Sequence, residues 1–234
     1  MSQVSLLRDQ VKQAHEFLEG TVADVVPEQA HWLPPGKANP LGATYAHVLM
    51  GEDGFVNGML RQAAPLAATS WAGKVGVSEP PPPPFPPKPW DQWGRQVRVD
   101  LSMLRQYAQA VYAVTDEYLA SLADGDLTRQ IDLSGVGLGT QTLGWVISNG
   151  VLGHVFSHWG EIACLKGLQG AQGFPVYELG IDGLRRTAGR AGPQAPSPTR
   201  RARGKEDVRG TLVHAARQHV LRRPERRPGG SGRP

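Results

Sequence analysis

The sequence predicts an all-α protein: a four-helix bundle with a long proline-rich crossover after its second helix and a short hairpin or loop before its fourth. Three observations carry this. Apolar residues recur at three- and four-residue steps in four long stretches. A connection rich in proline separates the second stretch from the third. A glycine-rich segment with alternating aliphatic residues precedes the fourth. About 180 residues suffice for the core of such a bundle.

In the first stretch Val4, Leu7, Val11, Ala14, Leu18, Val22 and Val25 make one helical stripe, closed by Pro27. His15 sits beside the stripe and His31 in the loop after it. Both read as partly exposed histidines rather than ligands. The second helix spans about Leu41 to Gln62, its faces outlined by Tyr45, Val48, Glu52, Phe55, Val56 and Met59. His47 falls in its first two turns, and Gly51, one turn later, leaves room above the ring. Taken alone, a histidine so placed is more often a hydrogen-bonded core residue than a ligand.

Ala63 to Trp90 is the crossover and contains EPPPPPFPPKPW. Proline blocks helix and favours an extended polyproline form. The run reads as a stiff connection, with a peptide ligand for a proline-binding module as the sharper but less favoured alternative. Trp90 and Trp93 are expected to be exposed, either covering a second copy in a homodimer or folding back on the bundle. Val97, Leu101, Leu104, Ala108, Val111, Thr115, Tyr118 and Leu122 line the third helix. The segment DGDLTRQIDLSGVGLGTQT then reads as a short β-hairpin or an irregular loop.

The fourth helix carries the chemistry. Thr142 is its expected N-cap, and Gly170 or Gly173 its end. Ile147, Val151, His154, His158, Ile162 and Leu165 form the inward stripe. Residues four apart on a helix stand one above the other, so His154 and His158 can grip one metal ion. Glu161 shares their face. It reads either as a partner for a ligand histidine or a metal-bound water, including as the catalytic base, or as an ordinary surface carboxylate. Gly153, Gly160 and Gly167 repeat every seven residues, so a neighbouring helix is expected to pack closely on that strip. Cys164, about 120° off the histidine face, is expected to pack in the core. The zinc motif HExxH is absent because Val155 follows His154. A bundle can supply a third ligand from a facing helix, and His47 is the histidine on another helix's expected inner side.

Charge divides the chain. Residues 1–183 hold 11 Lys+Arg against 18 Asp+Glu, a net of −7, whereas 184–234 hold 14 against 3, a net of +11. The bundle is therefore assigned to 1–183. The segment 184–234, rich in Arg, Pro and Gly, is read as a largely disordered basic tail. It is either a nucleic-acid-binding arm or, the favoured reading, inert sequence of the kind a shifted frame in GC-rich DNA produces. The basic pI of about 9.4 belongs to this tail, so a nucleic-acid role for the body does not follow from it. A single cysteine excludes an intramolecular disulfide. No signal-peptide core or spanning apolar run is present, and a cytoplasmic protein with no membrane partner is expected.

The stretches HWLPPGKANPLGATYAHVLMGED and LGHVFSHWGEIACLKGLQGAQGFP, with their separation, resemble the DinB-like superfamily. This family includes mycothiol-dependent maleylpyruvate isomerase-like four-helix-bundle metalloproteins. The resemblance covers roughly Leu6 to Tyr177. Members carry one histidine early in the second helix and a pair four apart late in the chain. It implies His47, His154 and His158 as ligands of a divalent metal, zinc before nickel or iron. The family's late motif often reads His-x-x-His-His-Arg-Gly-Gln. Here Ser157, Trp159 and Glu161 stand at three of those places and Gly160 is kept. The resemblance further implies a thiol transferase or isomerase that uses a low-molecular-weight thiol (mycothiol, bacillithiol or glutathione) and a small-molecule electrophile. A metal-binding stress-response protein without turnover is the alternative. A nucleic-acid function residing in the tail is a weaker third.

Overall fold

The first helix is pinned at its start by a residue far along the chain. In the computed structural model, which describes residues 1–82 and 90–174, α1 spans Gln3–Val22. The Asp124 carboxylate accepts from the backbone N–H groups of Gln3 and Val4 at 3.1 and 2.9 Å, and Ser2 Oγ accepts from Ser5. These are N–H groups that a helix leaves unpaired. The helix stops at Val22, and Pro27 opens a separate short helix α2, Pro27–Ala30, at a first-turn position where its missing N–H costs nothing.

Helix α3 (Leu41–Asp53) continues as a π-helical segment, Gly54–Leu60. The crossover contains a short 3-10 turn at Leu66–Ala68 and a bridge between Val77 and Val99. Most of its proline run, 83–89, lies outside the described residues. A short helix α4 (Trp90–Gln96) precedes α5 (Leu101–Ala120), which Asp100 caps. Val97, expected inside the third helix, is buried in the link between these two. The hairpin is present: β1 (Gln130–Asp132) pairs antiparallel with β2 (Thr140–Thr142), with Ile131 opposite Gln141. Thr142 then caps the last helix by accepting from Trp145 N–H. That helix runs as α6 (Leu143–Val146), a π-helical segment (Ile147–Gly153) and α7 (His154–Leu168). Gly170 follows with φ +78°, the left-handed conformation that ends helices.

Helices α1 and α3 each pack on both α5 and α7, so the architecture is an all-α bundle in which α3 and α7 are neighbours. The core forms two clusters. One gathers Leu18, Leu49, Leu104, Val111 and Val155, and the other Val11, Val56, Leu119, Ile147 and Val151. Between them, along each helix, stands a polar residue: His15, Glu52 with Asp53, Thr115, and His154. The buried ones are satisfied. Glu52 accepts from Thr115 Oγ1 at 2.6 Å and its other oxygen meets His15 Nε2 at 2.9 Å. Asp53 accepts from Tyr107, Asn57 and the backbone of Leu66 and Ala67.

The basic tail from 184 lies outside the described residues. Among the described residues no helix is long and apolar enough to cross a membrane.

Candidate metal centre

Helix α3 delivers His47 toward α7, and the π-helical segment before α7 sets the phase at which His154 and His158 meet it. A π turn holds more residues than an α turn, so it rotates everything that follows. Gly51 makes the approach feasible: a Cβ there would stand 3.0 Å from His154 Cε1. Another close approach is at Gly150, where a Cβ would lie 2.9 Å from the Phe55 ring. The strip of Gly153, Gly160 and Gly167 plays no such part. No neighbouring helix approaches it among the described residues, and Gly153 meets only the Ser148 carbonyl of its own helix.

The three histidines converge as the sequence predicts. His154 Nε2 and His47 Nε2 are 3.1 Å apart. One nitrogen from each of the three rings lies within 4.8 Å of the others. Ring centroids are 5.0, 4.9 and 4.7 Å apart, with interplanar angles of 70°, 82° and 81°. The rings thus stand nearly perpendicular around a common point. Two nitrogens bound to one tetrahedral zinc are about 3.3 Å apart, which the His47–His154 pair matches. Among the described residues this is the group of three ligand-type side chains close enough to share an ion.

Electrostatics favours ligation. Burial pushes His47 down to about 4, with the neighbouring His158 adding to the effect. Burial, then His47 and His158, push His154 down to about 3. Both rings are therefore neutral at pH 7, the state that can donate a lone pair to a metal. His158 Nδ1 lies 2.8 Å from Glu161 Oε2. A carboxylate there holds the proton on Nδ1 and leaves Nε2 free. Glu161 is thus the partner of a ligand-type histidine. By contrast, His47 Nδ1 is buried with no hydrogen-bond partner among the described residues.

A cavity of about 170 Å³ opens beside His47 and His158, bordered by Asn39, Thr44, Trp90, Trp93 and Glu161. The Trp90 ring meets His47 edge-on at 4.9 Å. The sequence expected both tryptophans to be exposed. Trp93 is instead buried and donates from Nε1 to the Glu79 carbonyl, and Trp90 is partly covered. Helix α4 folds back on the bundle. A larger groove of about 640 Å³ runs along α1 and α5 past Arg8, Lys12, Glu19 and Tyr112, away from the triad.

Two other expectations change. His15 is buried, bonded to Glu52 and stacked on Tyr112 at 3.7 Å, because α5 covers the side of α1 that the stripe left open. Cys164 is exposed rather than core, since its 120° offset turns it away from α1 and α3. His31 is a structural link: Nδ1 bonds the Pro27 carbonyl and Nε2 accepts from Val99 N–H. No local pattern marks Asn39 or Gly94 as part of the site, because both reach it through tertiary packing of separate loops and helices.

A family profile described as the DinB superfamily matches residues 10–162, which include all three histidines. A conserved protein of Enterococcus faecalis, known from a crystal structure, shares the fold with a TM-score of 0.61 and 20% identity, over 71% of this chain and 96% of its own. No curated protein matches.

Proposed function

The chain belongs to the DinB superfamily, and we propose that His47, His154 and His158 bind one divalent metal ion, zinc before nickel or iron, in the centre of a thiol transferase or isomerase. The observation that carries this reading is the convergence of three imidazoles, two of them kept neutral by burial. Three neutral ligands leave the ion's charge uncompensated and a coordination position open, unlike a closed structural site. When bound, the ion supplies Lewis acidity, which favours a thiol in its thiolate form and lowers the pKa of bound water to about 7.

The protein's own groups do the rest. Glu161 orients His158 and fixes its tautomer. Trp90 shields His47 and, with Trp93, walls the cavity against water. The partners under this reading are a low-molecular-weight thiol and a small electrophile.

One observation favours the second reading, a metal-binding protein without turnover. The cavity of about 170 Å³ is small beside the roughly 300–1,000 Å³ of most ligand pockets. Metal analysis of the purified protein, followed by thiol-dependent consumption of chlorodinitrobenzene with His154→Ala as control, separates the two. One metal per chain with turnover supports the enzyme. One metal per chain with no turnover on any thiol supports the second reading. Protein that takes up no zinc, nickel or iron overturns both.

A further inference from the structure

We propose that the groove between α1 and α5 is a second binding site, separate from the metal centre, for a small aliphatic amine in its ammonium form, held by Glu19 and His15. The groove has a volume of about 640 Å³, within the roughly 300–1,000 Å³ of most ligand pockets.

Two side chains of α1, four residues apart and hence on one face, give the groove a polar floor. His15 keeps only 9% of its side chain exposed. Its Nε2 lies 2.9 Å from Glu52 Oε2, while the other Glu52 oxygen accepts from Thr115. A carboxylate accepts, so Nε2 carries the proton of the neutral ring and Nδ1 is left as an acceptor. That Nδ1 bonds no described residue and is not sealed from solvent, so it opens on the groove that His15 lines. Glu19 Oε1 accepts from Tyr45 and Tyr112, each at 2.8 Å. Its Oε2 meets no described partner and is likewise not sealed. Tyr112 holds the two side chains together, stacked on His15 at 3.7 Å and bonded to Glu19.

Charge and donor count select the ligand. Arg8 is taken by Asp116 through two nitrogens. Among the described residues Lys12 is then the lining cation without an ion pair, against three carboxylates, Asp9, Glu16 and Glu19. Burial raises the pKa of Glu19 by more than its two tyrosines lower it, and a cation at Oε2 offsets that cost of burial. The floor offers acceptors, and an ammonium has three donors and no acceptor, whereas a carboxylate has only acceptors. An aliphatic diamine can present a separate ammonium to each side chain, so no single atom has to reach both. A bare metal ion does not suit the groove: among the described residues, three ligand-type side chains come close enough to share one at the triad, not here.

The test is isothermal titration of the full chain with 1,4-diaminobutane and with its neutral counterpart 1,4-butanediol. The diamine should bind once per chain, at least about tenfold more tightly than the diol, as a charge-assisted hydrogen bond requires. Glu19→Gln keeps an acceptor for both tyrosines and removes the charge, so diamine affinity should fall about tenfold or more. His15→Gln puts an amide nitrogen where Nε2 stood, which keeps the bond to Glu52 but removes Nδ1, and affinity should fall about three- to tenfold. Glu19→Gln decides the matter if His15→Gln does not fold. Glu28→Gln, at an exposed carboxylate of α2, should change affinity less than about twofold. His154→Ala should leave diamine binding intact whether or not the triad holds a metal. Equal binding of diamine and diol, or an equal loss in Glu28→Gln and Glu19→Gln, reduces the effect to general attraction by an acidic surface and overturns the site. Tighter binding in His15→Gln overturns the part given to Nδ1. Loss of binding in His154→Ala shows that the amine ligates the metal instead, which overturns the groove and leaves the metal reading standing.

Discussion

A methyl group at Gly51 would stand 3.0 Å from Cε1 of His154. The residue one turn after the first ligand-type histidine is thus what admits the second, from another helix. Alanine favours helix over glycine by about 0.8–1 kcal/mol, so Gly51→Ala should leave the metal-free protein about as stable as before. Its metal affinity should nevertheless fall at least about tenfold, because a ring displaced by a few tenths of an ångström no longer meets the other two. Competition titration with a zinc-sensitive dye measures this. Unchanged affinity would show that the ring can yield without leaving the site.

Alanine at His47, His154 or His158 should abolish stoichiometric metal, as read by elemental analysis of protein equilibrated with zinc. His15→Ala should not, although His15 is also buried. Its cost should appear in stability instead, at about 1–3 kcal/mol in urea unfolding, because it strips a partner from fully buried Glu52. Loss of metal from His15→Ala would mean that the polar layer and the triad act as one unit.

Glu161→Gln keeps size and removes the charge that faces His158 Nδ1 at 2.8 Å. Metal affinity should drop by about 10–100-fold with stoichiometry retained. An unaltered affinity would return Glu161 to the role of a surface carboxylate.

The metal-free protein should lose stability on acidification through a defined window. His47 and His154 are depressed from 6.5 to about 4 and about 3. Below pH 6.5 the unfolded chain takes up protons that the folded state refuses. The stability linked to these groups is therefore complete above 6.5 and falls as pH drops through about 4 toward 3. Urea melts across that range should show a steeper pH dependence for the wild type than for a His47→Ala, His154→Ala double variant. Parallel curves would mean that the rings are more hydrated than their burial implies.

Ending the chain after Gly183 should leave the bundle's melting temperature within about 5 °C of the full chain. Differential scanning calorimetry of both forms decides. A larger drop would show that the net +11 segment packs on the net −7 body.

The sequence by itself determined the four long helical stretches, the Thr142 cap and the ligand spacing. These are local properties: the period of apolar residues, the hydroxyl of Thr142, and the four-residue step from His154 to His158 follow from backbone geometry alone. The resemblance located His47 before any contact was visible, and the three rings do converge. Tertiary structure decided what lay between helices. It buried His15 against Glu52, turned Cys164 to solvent, and put the close approaches at Gly51 and Gly150 rather than on the heptad glycine strip. It also folded Trp93 inward and brought Asn39, from a loop before α3, against Gly94 of α4. The helical period gives the angle of a side chain about its own axis. Which neighbour occupies that angle depends on the placement of other helices, and a period read along one helix carries no information about that.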